Sequence, residues 1–419
     1  MTLTIGTRGL AALALALAAF GAAHAAEPLT LERALALADE YNPRLRAAAA
    51  QTEGARAGIR TARAYPNPDF DVGAGRQGNR GNSNAPTGSV SAFGLNQPLD
   101  LPGVRDPRIR AAEAGFEGSQ FALAEVRLAV RAAVKQAFAD VLRRRAEVEV
   151  TAENQKLLED IRRRVEVRVN VGEAPRLELT RAEAEAAVAA NTAASARLRV
   201  AQAIAALRAA IGAPLPPDVE VVGDLAAVPP LPDVARLREE MLANYPALAQ
   251  GRAEVKRAEA RLETERALRV PQPTLRAGYG LQPDQSIWLL GINIPIPIWD
   301  QRQGQIGEAV AAFQEASANA EGRRIELLAA LDDAYGRFQV ATQTVAAYEA
   351  GILKQAEAAL RVAESAYRLG ERGFLEVLDA QRVLRAARLE YLAARFDQQA
   401  ALIDIEQLRG LESLQKKQP

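Results

Sequence analysis

A chain of 419 residues with 52 Lys+Arg against 52 Asp+Glu has no net field to draw it to nucleic acid or to an anionic lipid surface. It contains no cysteine, which excludes disulfides, thiolate zinc sites and lipid attachment through an N-terminal cysteine. Aromatics are 5% of the residues while alanine is abundant, a balance that suits close-packed helices better than one large globular core.

Residues 1–25, MTLTIGTRGLAALALALAAFGAAHA, place Arg8 before a short apolar run and end on the A-x-A site Ala23-His24-Ala25. This pattern reads as a removed secretory signal peptide, and the run is too short for the alternative of a membrane anchor. Cleavage takes away Arg8 from the 52 basic residues and also His24, the single histidine. The mature chain then has neither His nor Cys, so soft and borderline metals lack a ligand set, and no cofactor or metal site is expected. No later run of about 20 apolar residues occurs, so no transmembrane helix is expected.

Two copies of one plan follow. The first, 26–213, opens with LTLERALALADEYNPRLRAA and steps through YPNP into strands at about 69–76 and 89–99. A long helix, a glycine turn with its hairpin tip at 170–178 and a second helix complete it. Residues 214–232 hold six prolines and read as a linker. The second copy, 233–412, has strands at about 273–281 and 286–297 and a hairpin tip at 368–379; residues 413–419 are a C-terminal tail. Pro43 answers Pro246 and Leu45 answers Leu248, while Gly94, Asn96 and Pro98 answer Gly291, Asn293 and Pro295. One repeat of roughly 200 residues, used twice, organises the chain. The expected fold class is mainly α with a small β part, a duplicated helix-strand-strand-helix-helix repeat.

The strands alternate with period two. Phe70, Val72 and Ala74 oppose Asp69, Asp71 and Gly73, and Leu275, Ala277, Tyr279 and Leu281 oppose Arg276 and Gly278. Trp288, Leu290, Ile292, Ile294 and Ile296 share a face against Gly291 and Asn293. Two readings fit: strands of a membrane barrel, apolar outside and small or polar inside, or a small soluble sheet packed on the helices. Four strands cannot close a barrel, so the first reading requires several chains, and three would give twelve strands.

Gln301 to Leu369 is free of proline. Leu327, Leu331, Ala334, Phe338, Ala341, Val345, Tyr348 and Ile352 step in alternating fours and threes, as do Val377, Ala380, Leu384, Ala387, Tyr391, Ala394, Gln398 and Ala401. This is coiled-coil spacing, and a helix of about 70 residues is about 100 Å long. Gly172 and Gly370 stand 198 positions apart, as do Leu177 and Leu375, and Glu178 and Glu376. Each glycine ends one helix before its antiparallel partner begins, and the acids that follow suit a helix N-terminus. Glu376 and Asp379, three apart, share a helix face. No Walker loop, nucleophile elbow or histidine constellation is present, and the arginine runs at 143–145 and 162–164 read as solvated helix faces.

In its duplicated plan, its opening LTLERALALADEYNPRLRAA, its YPNP step into a strand and its glycine tips, the chain resembles the TolC-like outer-membrane efflux family. NQPLDLPGVRDPRI is most similar to the heavy-metal (CzcC-like) branch. The resemblance implies a homotrimer whose chains contribute four strands each to a twelve-stranded barrel in outer-membrane lipid, with a long α-barrel below it in the periplasm. It implies as partners a periplasmic adaptor (membrane fusion) protein and an inner-membrane RND-type pump. It places Glu376 and Asp379 as an acidic ring at the periplasmic gate, with Tyr367, Arg372 and Glu178 as the latch. Val171, Gly172 and Leu177 on one tip, with Leu369, Gly370 and Phe374 on the other, would dock the adaptor. Pro175 departs from the family pattern, which has a small polar residue there. Ordinary first-turn acids facing solvent is the other reading of Glu376 and Asp379. The expected function is a passive exit duct, not an enzyme, conducting heavy-metal cations. The alternatives are drug efflux or type I protein secretion through the same duct, or a periplasmic coiled-coil scaffold.

Overall fold

A computed structural model describes residues 28–78, 81, 86–216, 219–225 and 228–411. The signal peptide at 1–25 and the tail at 413–419 lie outside the described residues. Helix α1 (Leu31–Tyr41) is capped by Thr30, whose Oγ1 accepts from the Arg33 N–H at 3.3 Å, and α2 (Pro43–Arg63) restarts at a proline. Strands β1 (Asp69–Gln77) and β2 (Gly88–Pro98) lead to α3 (Pro102–Asn170), and α4 (Arg176–Ile211) returns. The second copy runs α5 (Val234–Asn244), α6 (Pro246–Ala267), β3 (Thr274–Leu281), β4 (Ser286–Asn293) and α7 (Gln303–Ala347). A π-helical turn (Tyr348–Ile352), α8 (Leu353–Arg368) and α9 (Phe374–Arg409) complete it. At 69 residues, α3 alone is about 100 Å of continuous helix.

The chain forms two compact units: Pro43–Val130 with Pro230–Gly336 and Asp404–Pro419, and Met1–Asn42 with Arg131–Pro229 and Arg337–Ile403. Neither is one sequence repeat; each draws on both. The first unit holds the sheet. Its helices approach closely through small residues: Gly118 meets Ala253, and Gly251 lies against Ala320 so tightly that an added Cβ would stand 3.3 Å from the alanine methyl. Where β2 enters α3, the Asp100 carboxylate is almost fully buried and accepts from both Arg108 guanidinium nitrogens, at 2.5 and 3.3 Å. Arg105 donates to the Arg63 carbonyl at 2.9 Å and lies over the Tyr65 ring, so the stretch DLPGVRDPR ties the end of α2 to the start of α3.

The sheet is antiparallel throughout, in the order β1-β2-β3-β4. Its register aligns the apolar positions into continuous rows. Phe70, Leu95, Ala277 and Leu290 make one row, and Val72, Phe93, Tyr279 and Trp288 the next, with the Tyr279 and Trp288 rings 4.6 Å apart. No helix covers this face: Trp288 is 81% exposed and Leu290 87%. A sheet packed on helices would have buried these rows, so the soluble-sheet reading is set aside. The opposite face carries Asp71, whose Oδ1 accepts from the Asn96 amide at 2.5 Å. It crosses the strand over Gly94, where a Cβ would sit 2.1 Å from the carboxylate. The β3–β4 ladder stops at Asn293, short of the expected 297, because Pro295 and Pro297 have no N–H to donate. Ile294 and Ile296 continue the exposed apolar character beyond it.

The second unit is a helical pack. The linker is held by Arg145, which donates to the carbonyls of Val219 and Val221, and by a parallel bridge of Leu29 to Val221. Along α7, Leu327, Leu331 and Ala334 of the first unit and Ala341 and Val345 of the second are buried as expected. The seam then departs from the sequence reading. Ile352 is 42% exposed, and Leu353 packs on the core in its place, followed by Ala356, Leu360, Ala363 and Tyr367. The step from Tyr348 to Leu353 is five residues, and the π turn absorbs the extra one. Across the turn, Tyr348 donates to Glu390, while Glu349 accepts from Tyr391 at 2.9 Å and from Arg395 at 2.5 Å. The Glu390 carboxylate holds the Tyr348 phenol above its usual pKa.

Deleting Gly351 restores alternating threes and fours from Leu327 to Tyr367. That variant is expected to keep the parent's melting temperature within a few degrees by circular dichroism, whereas deleting Gly336, inside the regular seam, rotates every later residue off its partner and lowers it by much more. Equal losses in the two variants would mean that the π turn is not a register correction.

Candidate gate and docking site at the hairpin tips

The two hairpin turns are built by the same hydrogen bonds one repeat apart. Glu173 N donates to Arg168 O at 2.8 Å and Gly172 N to Val169 O at 3.1 Å; Glu371 N donates to Ala366 O at 2.9 Å and Gly370 N to Tyr367 O at 3.1 Å. Gly172 has φ +83° and Gly370 φ +76°, so each chain reversal closes a helix with the left-handed residue that only glycine adopts at no steric cost. Pro175 sits where the second copy has Gly373. Its extended backbone (φ −75°, ψ 149°) starts α4, and its carbonyl accepts from Glu178 N at 2.9 Å, as that of Gly373 does from Glu376 N at 3.2 Å.

Beneath the turns lies one core of Leu158, Ile161, Val165, Ala182, Leu360, Phe374 and Val377. Phe374 is 1% exposed and packs on Tyr367 with ring centroids 6.0 Å apart. It therefore joins the hairpins from inside and presents nothing to a partner. Val171, Leu177 and Leu369 stand 65, 58 and 74% exposed, the apolar surface of the two turns. Deeper in the same pack, the buried Gln381 amide donates to the buried Asn154 carbonyl, a polar contact that admits one register of α3 against α9.

The structure brings Arg372 to Glu376, Nη1 to Oε1 at 3.1 Å, across the start of α9. Both are more than half exposed or nearly so, and such a pair contributes about 0–1 kcal/mol. It does not bring Glu178 to Arg372: Glu178 is half-buried, and its carboxylate has no hydrogen-bond or ion-pair partner among the described residues. Asp379 is exposed, one turn beyond Glu376, and likewise unpaired. The Tyr367 hydroxyl is buried with no hydrogen-bond partner among the described residues, while its ring lies 5.0 Å under the Arg168 guanidinium. The sequence reading did not single out Arg168. It shares an open groove of about 780 Å³ with Arg164, which the sequence reads as part of a solvated face, and with Arg368, which it does not single out. The run RRRVEVRV was their signal. Counted from Asp160, Arg163, Arg164, Val167 and Arg168 fall at i+3, i+4, i+7 and i+8 on one face of α3. Among the described residues no cluster of three or more His, Asp or Glu could hold a metal ion, and no helix is long and apolar enough to cross a membrane.

The family profile described as outer membrane efflux protein matches residues 34–213 and 237–411. The chain belongs to the outer membrane efflux protein family. It is 32% identical over 390 residues to the cobalt-zinc-cadmium resistance protein CzcC of Cupriavidus metallidurans, covering 92% of this chain and 91% of that one. That similarity places it with the heavy-metal branch. Among solved structures it is similar to CusC, described for transmembrane channel formation (TM-score 0.79, 22% identity, 91% of this chain and 92% of that). It is also similar to the open state of the MtrE outer membrane channel of Neisseria gonorrhoeae (TM-score 0.76, 22% identity, 91% and 88%). At these identities the structures establish the fold, and the family establishes an outer-membrane efflux protein.

Proposed function

We propose that the chain is one subunit of a trimeric exit duct that passively carries heavy-metal cations out through the outer membrane. In this reading a periplasmic adaptor (membrane fusion) protein and an inner-membrane RND-type pump deliver the cargo. Residues 26–213 and 233–412 serve as the two repeats of each subunit. The observation that carries it is the sheet: four antiparallel strands, apolar rows exposed on one face, and outer edges on β1 and β4 that no strand among the described residues pairs. Lipid tolerates no open edge, and three copies supply twelve strands, an even number that closes. The long helices give the reach that a periplasmic tunnel needs. The cargo is argued from the similarity to a cobalt-zinc-cadmium resistance protein. With no Walker loop in the sequence, the driving energy is assigned to the pump and the chain to conduction rather than to catalysis.

The tips are assigned the gate. Glu376 and Asp379 share a helix face, and around a threefold axis they form stacked acidic rings that favour cations. Arg372 neutralises part of the Glu376 charge, which leaves Asp379 as the dominant acid of the ring. The Tyr367 hydroxyl, buried and unpartnered among the described residues, takes its acceptor from a neighbouring copy in this scheme, and the Glu178 carboxylate, likewise unpaired among them, accepts from a neighbouring Arg372 when the ring is shut. Val171, Gly172, Leu177, Leu369 and Gly370 form the surface that meets the adaptor, and Phe374 supports it from beneath.

A strain lacking the protein is expected to become sensitive to cobalt, zinc and cadmium salts and to recover with the parent gene. Sensitivity to drugs alone, or failure to export a protein, would move the cargo assignment. Leu290→Arg should prevent trimers from appearing in the outer membrane, since arginine at mid-membrane costs about 2–4 kcal/mol, while Asn293→Arg on the other face is tolerated. Heat-modifiable migration of each variant reads the difference, and equal effects would refute the lipid-facing assignment. In planar bilayers, Glu376→Gln with Asp379→Asn should lower cation selectivity and weaken block by multivalent cations. Unchanged selectivity would leave these acids as helix caps.

A further inference from the structure

The groove of about 780 Å³ at the tip lies between the end of α3 and the end of α8, within one compact unit. Four guanidiniums line it: Arg163, Arg164 and Arg168 from α3, and Arg368 from α8. Two of them are compensated. Arg163 is paired with Asp160, and Arg168 reaches Glu173 at 4.0 Å. Among the described residues Arg164 has no ion-pair partner, and the Arg368 guanidinium donates only to the neutral Ser365 hydroxyl, at 3.3 Å. Exposed Val167 and Leu369 stand beside them, so the groove offers uncompensated positive charge next to apolar surface.

The other repeat shows that the turn itself does not require these charges. Both turns have the same backbone hydrogen bonds and the same glycine conformation. One repeat away, Arg164 is replaced by Val362, Arg168 by Ala366 and Arg368 by Asn170, while Arg163 corresponds to Arg361 and Leu369 to Val171. The apolar residue is kept and the extra cations are not. Two hairpins that fold alike therefore differ in what they present.

We propose that this groove receives a helix of the periplasmic adaptor that carries carboxylates beside an apolar residue; the inference rests on the reading that the tips dock an adaptor. The α3 side of the groove is a helical stripe, with Arg164 and Arg168 one turn apart and Val167 beside them, about 12 Å from Asp160 to Arg168. A second helix laid along it meets this spacing with its own i, i+3 and i+4 positions. Guanidiniums bind carboxylates through paired, charge-assisted hydrogen bonds, so acids at those positions gain both attraction and register. The matching positions one repeat away, Val362 and Asn170, offer a helix no such charge.

The test uses the full chain in cells whose resistance depends on it, with trimers in the outer membrane measured alongside. Arg164→Glu with Arg368→Glu is expected to lower resistance at least tenfold, to the level of Gly370→Trp, with trimers unchanged. Arg164→Lys with Arg368→Lys keeps the charge and is expected to retain most of the resistance. Val362→Glu with Asn170→Glu, at the matching positions one repeat away, is expected to do little. If the glutamate pair keeps full resistance while Gly370→Trp loses it, docking occurs but not through this charge, and the inference is overturned. Loss in the lysine pair equal to that in the glutamate pair would assign the effect to packing and overturn it as well. Loss of trimers in the glutamate pair alone would assign the groove to a second copy of this chain. Full resistance in Gly370→Trp would remove the tip-docking reading itself.

Discussion

A backbone N–H or C=O left without a partner in hydrocarbon costs several kcal/mol, and the architecture of this outer-membrane protein follows from that constraint. The four strands satisfy one another on the inside of the sheet and leave β1 and β4 with open outer edges. The rows from Phe70 to Leu290 and from Val72 to Trp288 can face lipid only if those edges are paired. The chain's own register therefore calls for further copies, and the proposed trimer supplies them.

The helices answer a different constraint, that of keeping a seam aligned over many turns. Alternating threes and fours hold two helices together only while the count is kept. Between Tyr348 and Leu353 the count slips by one, and the helix widens locally to a π turn so that Leu353, Ala356 and Leu360 still reach the core. The tyrosines on either side, Tyr348 and Tyr391, each hold a carboxylate of the facing helix at this place, Glu390 and Glu349, which pins the widened turn. Below it, Asn154 and Gln381 add a buried polar contact that penalises any slide of α3 against α9.

Much of this was legible in the sequence. Period-two alternation located the strands and their apolar face, because a strand's side chains have no other way to sort. The prolines at 295 and 297 were legible as residues but not weighed as missing donors, so β4 was expected to run too far. Glycines in one register located both turns. The π turn was hidden, since Ile352 and Leu353 are adjacent and either suits a seam; only the packing of Leu360 and Tyr367 decides between them. Charge was least legible. Arg372 stands as close in the sequence to Glu376 as it was expected to stand in space to Glu178, and a one-dimensional reading cannot tell which carboxylate a flexible guanidinium will choose. Phe374 looked like part of a tip because it follows the glycine, yet it points into the core with Tyr367 and Val377.

The shared geometry of the two turns bears on how such a protein can diverge. Were each hairpin a separate subunit, every copy would carry the same residues, and any change at position 164 would appear at all equivalent places at once. Fusing two repeats into one chain halves that symmetry. Arg164 and Val362 occupy matching positions with different chemistry, although Gly172 and Gly370 hold the same backbone. Duplication thus lets neighbouring hairpins specialise while the fold that both depend on stays fixed.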